Sequence, residues 1–170
     1  MGKAEYQAAC HIVRALKSAG HEAVLAGGCV RDRLLGIVPK DYDVATSAFP
    51  EQVKAAFPGS KGVGEAFAVV LVRHEEVITE VATFRKDGPY ADGRRPDYVE
   101  LDGATMEEDA ARRDFTINGL FEDPDGDEGC KIIDFHDGVA DLITRQCVRA
   151  IGDPAARIAE DRLRMLRAVR

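Results

Sequence analysis

Two kinds of hydrophobic pattern alternate along the chain, and together they predict a mixture of helices and strands. Apolar residues three and four positions apart between residues 6 and 19 predict a helix that ends at Gly20. Short runs rich in Ala and Val predict strands. Strands are predicted at 23–26, 42–44, 68–72, 77–84, 131–135 and 147–150, and further helices at 30–35, 50–57, 105–113 and 153–170. The pattern predicts an α+β fold with a mixed sheet of about five strands backed by helices.

Composition limits what the chain can do. With 170 residues, 45% of them hydrophobic, it can form one sizeable core, and its net charge of −7 opposes binding of nucleic acid by bulk attraction. Any RNA contact therefore needs a local basic face. The cysteines are scattered without a CxxC pair, which predicts neither a zinc site nor a disulfide framework. No apolar run is long enough to cross a bilayer and no signal-peptide pattern is present, so we expect a cytoplasmic protein.

Asp41 and Asp43 flank Tyr42 in a predicted strand, so both carboxylates project from one face. Two carboxylates in this arrangement can hold one or two Mg²⁺ ions for phosphoryl transfer. Acidic D-x-D triplets are also common on solvated loops, and alone the pair does not decide between the two interpretations.

Gly27 and Gly28 lie between a predicted strand and a predicted helix, where bare backbone N–H groups can approach a triphosphate. Arg31, one turn later, can neutralise it. The alternative is an ordinary tight turn. Glu80 lies in the strand predicted at 77–84, on the same face as Ile78, where a carboxylate is costly unless it pairs with a cation or a surface partner.

The segment 112–118 combines two arginines with Asp114 and Asn118, which can contact phosphate and ribose hydroxyls, or simply form a salt-bridged junction. In the last predicted helix, Glu160, Asp161 and Arg164 are spaced for ordinary intrahelical ion pairs. The arginines of that helix nevertheless concentrate positive charge on an acidic protein. They are Arg157, Arg164, Arg167 and Arg170.

Taken in order, these segments resemble the class II nucleotidyltransferases, the tRNA CCA-adding enzymes and bacterial poly(A) polymerases of the DNA polymerase β-like superfamily. The resemblance runs from Leu25 to Arg170. It rests on the motifs GGCVRDRLLG, KDYDVATSAFPEQV, EVATFR, YADGRRPD, RRDFTING, IDFHDGVADL and DPAARIAEDRLRMLRAVR.

The resemblance implies roles for single residues. Asp41 and Asp43 would hold the catalytic metals, with Glu80 as a third carboxylate, and Gly28, Arg31 and Arg113 would contact the incoming nucleotide. Family members select the base with an E-D-x-x-R motif in place of a nucleic-acid template. In this chain the motif is Glu160, Asp161 and Arg164, followed by Arg167 and Arg170 as nucleotide contacts, and the segment 88–95 resembles the family's flexible loop.

The resemblance also implies the reaction. Two Mg²⁺ ions would assist transfer of AMP or CMP from ATP or CTP to an RNA 3′ end, with tRNA as the expected partner. Residues 1–150 are expected to form the catalytic head and 151–170 the start of a helical neck that continues in full enzymes. Two departures from the family pattern are present. Gly119 replaces the usual Ala. The segment 57–63 lacks the Arg-rich signature of the poly(A) polymerase branch, and this absence favours CCA-type addition.

Two other classes of function remain open at this point. A two-metal phosphohydrolase uses the same paired carboxylates and transfers to water instead of RNA. A nucleotide-binding module without turnover would retain the glycine turn and the arginines alone. The sequence also leaves open whether CCA, CC, A or poly(A) is added.

Overall fold

The computed structural model describes residues 2–63, 68–126 and 129–169. Within them, seven strands form one mixed sheet in the order β3-β4-β5-β2-β1-β8-β9, in which only β2 and β5 pair in parallel. The strands of this sheet are β1 (Ala23–Ala26), β2 (Asp43–Thr46), β3 (Lys61–Val63), β4 (Val69–His74), β5 (Val77–Thr83), β8 (Phe121–Gly126) and β9 (Gly129–Ile133). A separate small ribbon pairs β6 (Lys86–Asp87) with β7 (Val99–Glu100).

Helices cover the sheet and connect its strands. They are α1 (Lys3–Ser18), α2 (Gly28–Leu34), α3 (Pro50–Ala56), α4 (Met106–Ala111), α5 (Pro154–Glu160) and α6 (Leu163–Ala168), with a 3₁₀ turn at Thr116–Asn118 and a π-helical turn at Ala140–Arg145. The predicted α+β class and the mixed sheet are confirmed.

Helix α1 shows how the apolar pattern builds the core. Its buried residues Ile12, Val13 and Leu16 recur at helical spacing and pack with Leu25 and Val44 of the sheet. The helix predicted at 105–113 forms as α4, and a capping box of Thr105 and Glu108 starts it. Within the described residues, no helix combines the length and hydropathy that crossing a bilayer requires.

The main sheet has seven strands where about five were predicted. The strand β3 was missed because all three of its residues are exposed and give no apolar alternation. The strand β8 was missed because its sequence FEDPDG contains three acids and a proline, which normally indicate a loop. The strand predicted at 147–150 is wrong, since the segment contributes only an isolated bridge from Ala150 to Phe115.

The single helix predicted over 153–170 is wrong as well, because it divides into α5 and α6. At the break, Asp161 has an extended backbone (φ −142°, ψ 104°) and its carboxylate accepts a hydrogen bond from the Leu163 N–H at 2.9 Å. A side chain that captures a nearby N–H competes with the helical hydrogen bond and favours a new helix start. The predicted boundary between head and neck at residues 150 and 151 stays a prediction.

Asp141 holds the π-helical turn against the 3₁₀ turn. Its carboxylate accepts from the Thr116 hydroxyl at 2.7 Å and pairs with Arg145 at 2.6 Å and Arg149 at 2.8 Å. Burial acts to raise its pKa, but these three hydrogen bonds outweigh burial and lower the pKa to about 2. The two arginines are half-exposed, so solvent screens part of their effect.

A group with a depressed pKa stabilises the fold above its ordinary pKa, and that contribution is lost as pH falls through the folded value. We therefore expect the free energy of unfolding to decrease between about pH 4 and pH 2, and Asp141→Asn to reduce that slope. Urea unfolding at several pH values measures it. Asp137→Asn, at an exposed position of the same segment, is the control and should keep the wild-type slope. An unchanged slope in Asp141→Asn would contradict the assignment.

Candidate active site

A cleft of about 740 Å³ opens on one face of the sheet, and it collects most of the residues predicted to carry chemistry. Eight arginines and five carboxylates line it, so it is a basic region on an otherwise acidic chain. This is the local positive face that RNA or a triphosphate requires. The predicted residues that line the cleft are Gly27, Gly28, Arg31, Asp43, Glu80, Arg113, Asp114, Asn118, Asp161, Arg164 and Arg167.

The floor of the cleft is formed by the parallel pair β2 and β5. Because Val44 pairs with Val81 in parallel register, the preceding residues Asp43 and Glu80 lie side by side, Asp43 at the start of β2 and Glu80 in the middle of β5. Further along the same face the strands carry only Ala45 and Ala82, whose small side chains leave space above the sheet.

Two carboxylates, Asp43 and Glu80, lie on this floor, and a third, Asp41, lies just before β2. Within the described ranges, no hydrogen bond or ion pair is formed by the side chains of Asp41, Asp43 or Glu80. Partial desolvation beside the sheet, together with the charges of Glu80 and Asp41, raises the pKa of Asp43 to about 6, and the opposing charge of Arg113 only partly offsets this. The cleft as a whole is basic, but its floor carries a local concentration of negative charge that a cation would relieve.

The donor set fits Mg²⁺ in one particular way. Among the described residues, no three Asp, Glu, His or Cys side chains lie close enough to hold a metal by themselves. Magnesium is usually held by one or two carboxylates together with substrate phosphates and water, and not by a complete protein cage. The aspartate pair is compatible with that arrangement.

The glycine turn approaches the arginine side of the cleft. Gly27 has φ +79° and ψ −132°, a conformation that residues with a Cβ avoid, and a Cβ there would lie 2.9 Å from the Arg113 Nη1. Its N–H is held by the Leu120 carbonyl at 2.9 Å. Gly27 thus allows the strand β1 to turn into α2 directly beside a guanidinium group.

A chain of polar contacts crosses the cleft from α2 to α6. Arg31 donates from Nη1 to the Asn118 Oδ1 at 2.7 Å, and Asn118 donates from Nδ2 to the Asp114 Oδ1 at 3.1 Å. Asp114 then pairs with the Arg167 Nε at 2.8 Å. The residues predicted to contact phosphate and ribose therefore form one network.

Arg164 is held rigidly at the break between the last two helices. Its Nη1 pairs with Glu160 at 2.7 Å and donates to the Arg157 carbonyl at 2.9 Å, while its Nη2 donates to the Arg112 carbonyl at 3.4 Å. Only 7% of its side chain is exposed. Glu160 does not line the cleft but holds Arg164 beside Asp161, which does.

One further predicted residue does not line the cleft, and another falls outside the described residues. Asp41 precedes β2 and is not among the residues that line the cleft, although its charge acts on Asp43. Arg170 lies outside the described residues. The individual roles given to the site residues stay predictions.

The structure adds cleft residues to which the sequence analysis assigned no individual role. They are Arg85 and Asp87, then Tyr90, Arg94 and Arg95 of the segment predicted as the flexible loop, and Arg112 of the predicted arginine pair. Asp87 accepts a hydrogen bond from the Tyr90 hydroxyl and pairs with Arg85 at 2.9 Å. The Arg164 guanidinium lies 5.8 Å from the centre of the Tyr90 ring. The sequence signal for the arginines is Arg85 at the end of EVATFR and the Arg94–Arg95 pair in DGRRPD.

Comparison with protein families decides the assignment. Residues 23–149 match the family model described as the poly A polymerase head domain, which is most of the chain and includes β1, β2, β5 and the 3₁₀ turn. The chain belongs to the poly A polymerase head domain family. The resemblance inferred from the motifs is therefore confirmed.

Several CCA-adding enzymes are similar to this head domain over nearly its whole length. The enzymes of Enterococcus faecalis and Geobacillus thermodenitrificans are each 45% identical to it, over 98% and 99% of the chain. The chain spans only 39% and 40% of those two proteins.

Solved structures show the same fold. The Bacillus stearothermophilus CCA-adding enzyme in complex with CTP superposes with a TM-score of 0.84 at 40% identity, covering 98% of this head domain and 38% of that chain. A tRNA nucleotidyltransferase complexed with a primer tRNA and an incoming ATP analogue gives a TM-score of 0.71 at 26% identity, covering 93% of this chain and 43% of that chain. The DNA polymerase β-like fold predicted from the motifs is confirmed.

Proposed function

We propose that this chain is the catalytic head of a template-independent RNA nucleotidyltransferase that adds CMP and AMP to tRNA 3′ ends in the cytoplasm. The observation that supports this most is that Asp43 and Glu80, whose side chains form no hydrogen bond or ion pair among the described residues, line the same cleft as eight arginines. Carboxylates that can hold a metal beside guanidinium groups that can neutralise phosphates suit phosphoryl transfer.

Each wall of the cleft has a part in this proposal. Arg31 and Arg113, next to the glycine turn, neutralise the triphosphate, and Asn118 and Asp114 bond the ribose. Asp161 and Arg164 present an acceptor and a donor to the base edge. Arg167 and Arg170 add nucleotide contacts from the last helix.

Asp41 and Asp43 would hold Mg²⁺, with Glu80 beside them as a third carboxylate. When bound, the two ions would supply a lowered pKa for the RNA 3′-hydroxyl and charge stabilisation for the leaving pyrophosphate. The residues of the chain orient the nucleotide, balance its charge and keep the attacking hydroxyl near the α-phosphate.

CCA-type addition is favoured over poly(A) synthesis by two observations. The named relatives are CCA-adding enzymes at 45% identity, and one solved relative carries CTP. A poly(A) polymerase has no use for CTP. Poly(A) addition within the same family remains the alternative to test.

The fate of the α-phosphate separates the proposal from a phosphohydrolase or a binding module. We expect α-labelled CTP or ATP, incubated with Mg²⁺ and RNA, to transfer its label to the RNA. Label recovered only as free nucleoside monophosphate would instead identify a hydrolase. Bound nucleotide with no product of either kind would identify a binding module.

Asp161 offers a test of base selection. Cytosine and adenine both present an exocyclic amino group, a hydrogen-bond donor, where uracil and guanine present a carbonyl oxygen. A carboxylate acceptor therefore favours CTP and ATP, and we expect Asp161→Ala to lower the preference for CTP over UTP at least about tenfold. The measurement is kcat/KM for each nucleotide with one labelled RNA.

The control for this variant is Asp153→Ala. Asp153 caps α5 through the Ala156 N–H at 2.8 Å, so its loss loosens the same helices without removing a base contact. Discrimination should survive in this control. Equal loss of preference in both variants would contradict base reading by Asp161.

A further inference from the structure

The sheet face that carries Glu80 continues beyond the cleft, across β4 and β3. Side chains along these strands alternate between two faces, and on one face Val70 and Val81 pair inside the core. On the other face Glu80 pairs with Leu71 of β4, and Leu71 pairs with Lys61 of β3. Glu80 and Lys61 are exposed and Leu71 is half-buried, so this face meets solvent.

Four aliphatic residues share this open face, and we call them the aliphatic strip. They are Val63, Val69, Leu71 and Ile78. The exposed fraction is 63% for Ile78 and 50% for Val63, while the other two residues are half-buried. Single apolar residues on a surface are common, but neighbours on one face of three adjacent strands are typical of a contact surface.

Basic side chains lie at both ends of the aliphatic strip. Lys61 lies two strand spacings, about 10 Å, from Glu80, and within the described ranges its ammonium group forms no ion pair or hydrogen bond. Arg73 lies opposite Ile78 and pairs with the exposed Glu76 at 3.0 Å, a contact that solvent screens. Cations beside apolar surface suit a nucleic-acid strand, which presents phosphates and the flat faces of its bases.

The order of the strands places this surface on one particular side of the carboxylates. Asp43 lies opposite Ala26 of β1, and Gly27, beside Arg113, follows Ala26 directly. The proposed triphosphate contacts are therefore on the β1 side of β2, whereas β5, β4 and β3 lie on its other side. Because the attacking and leaving oxygens are roughly in line in phosphoryl transfer, the attacking hydroxyl approaches from the side of β5 and β4.

We propose that the aliphatic strip carries the 3′-terminal nucleotides of the RNA substrate, with Lys61 at a backbone phosphate. The aliphatic side chains lie against ribose and base, as apolar side chains do at other nucleic-acid surfaces. The inference rests on the proposed function and adds to it the surface on which the acceptor strand lies.

Lys61→Gln tests the phosphate contact. Loss of one phosphate contact to a single strand lowers the slope of log affinity against log salt concentration by about 0.7. We expect the variant to flatten the salt dependence of kcat/KM for RNA by that amount and to lower kcat/KM about fivefold at low salt. The KM for CTP should change less than about twofold, because the nucleotide lies on the other side of the carboxylates.

Lys54→Gln is the matched control. Gly62 faces away from Lys61, and a Cβ on Gly62 would lie 3.5 Å from the Lys54 Cε, so Lys54 lies under the opposite face of the same strand. The control removes the same charge close to Lys61 without touching the aliphatic strip. Its kcat/KM for RNA and its salt dependence should equal those of the wild type.

Photocrosslinking locates the RNA without any substitution in the protein. An RNA that carries 4-thiouridine as its 3′-terminal nucleotide is irradiated with the whole chain, and mass spectrometry identifies the crosslinked peptides. We expect crosslinks to β3, β4 or β5. Crosslinks confined to other elements would overturn the inference.

The kinetic outcomes separate this inference from the proposed function. A weaker salt dependence and a lower kcat/KM for RNA in Lys61→Gln alone support the aliphatic strip as the RNA surface. Equal values in wild type and both variants, or equal losses in both variants, overturn it, and the proposed function stands if transfer still requires Asp43. Absence of transfer by the wild type, or transfer that persists in Asp43→Asn, overturns the proposed function and this inference with it.

Discussion

Replacing Asp43 by Asn is expected to lower the rate of nucleotide transfer by roughly 10³-fold or more. The substitution keeps size and shape but removes the carboxylate on the cleft floor, and metal assistance to phosphoryl transfer accounts for several kcal/mol of barrier reduction. Single-turnover transfer of a labelled nucleotide to RNA measures the effect directly.

The same substitution should leave the fold at least as stable as the wild type. The raised pKa of Asp43 means that its charged form is disfavoured in the folded protein, because it is partly desolvated and lies near Glu80 and Asp41. Above about pH 6, Asn removes that repulsion. Asp125→Asn, which breaks an exposed pair with Arg14, is the control and should keep full activity. Retained activity in Asp43→Asn would contradict the site.

A second large effect is expected on stability. Asp109→Asn should lower the free energy of unfolding by about 3 kcal/mol, because it leaves two partly buried guanidinium groups without their counter-charge. Asp109 is 1% exposed and pairs with Arg112 at 2.7 Å and Arg113 at 2.9 Å. Burial acts to raise its pKa, but the two arginines lower it overall. Chemical denaturation provides the measurement.

Glu107→Gln is the control, since it changes an exposed acid on the same helix and should shift stability by less than about 0.5 kcal/mol. A small effect for both variants would mean that solvent replaces Asp109 around Arg112 and Arg113. The expected difference in stability between the two variants matters for the site, because Asp109 holds the Arg113 guanidinium, which lies beside Gly27.

The local pattern of apolar residues was sufficient to predict helices and strands that have one apolar face. The helix over Lys3–Ser18 and the strands next to it follow from the spacing of Ile12, Val13 and Leu16 and from the run at 23–26. The alternation around Tyr42 predicts both aspartate carboxylates on one face, and in the structure Tyr42 is buried while Asp41 and Asp43 are exposed. The spacing of apolar residues carries this information because each position that faces the core requires an apolar side chain.

Tertiary context decided the rest. The segment FEDPDG has no sequence pattern that indicates a strand. It becomes one because β1 and β9 pair with it on either side. The helix break at Asp161 also leaves no signal in the apolar pattern. It depends on the Asp161 carboxylate, which accepts from the Leu163 N–H, and on the Gly93 carbonyl, which accepts from the Arg162 N–H at 3.3 Å. Long-range contacts of this kind leave no period in the sequence.

The most direct test of the central claim is extension of a labelled tRNA that lacks its 3′-terminal CCA, with each of the four nucleoside triphosphates supplied separately and RNA at high concentration. The account predicts Mg²⁺-dependent addition of CMP, addition of AMP once the cytidines are present, little addition of UMP or GMP, and none with Asp43→Asn. Absence of extension by the wild-type chain, or extension that persists in Asp43→Asn, would contradict it.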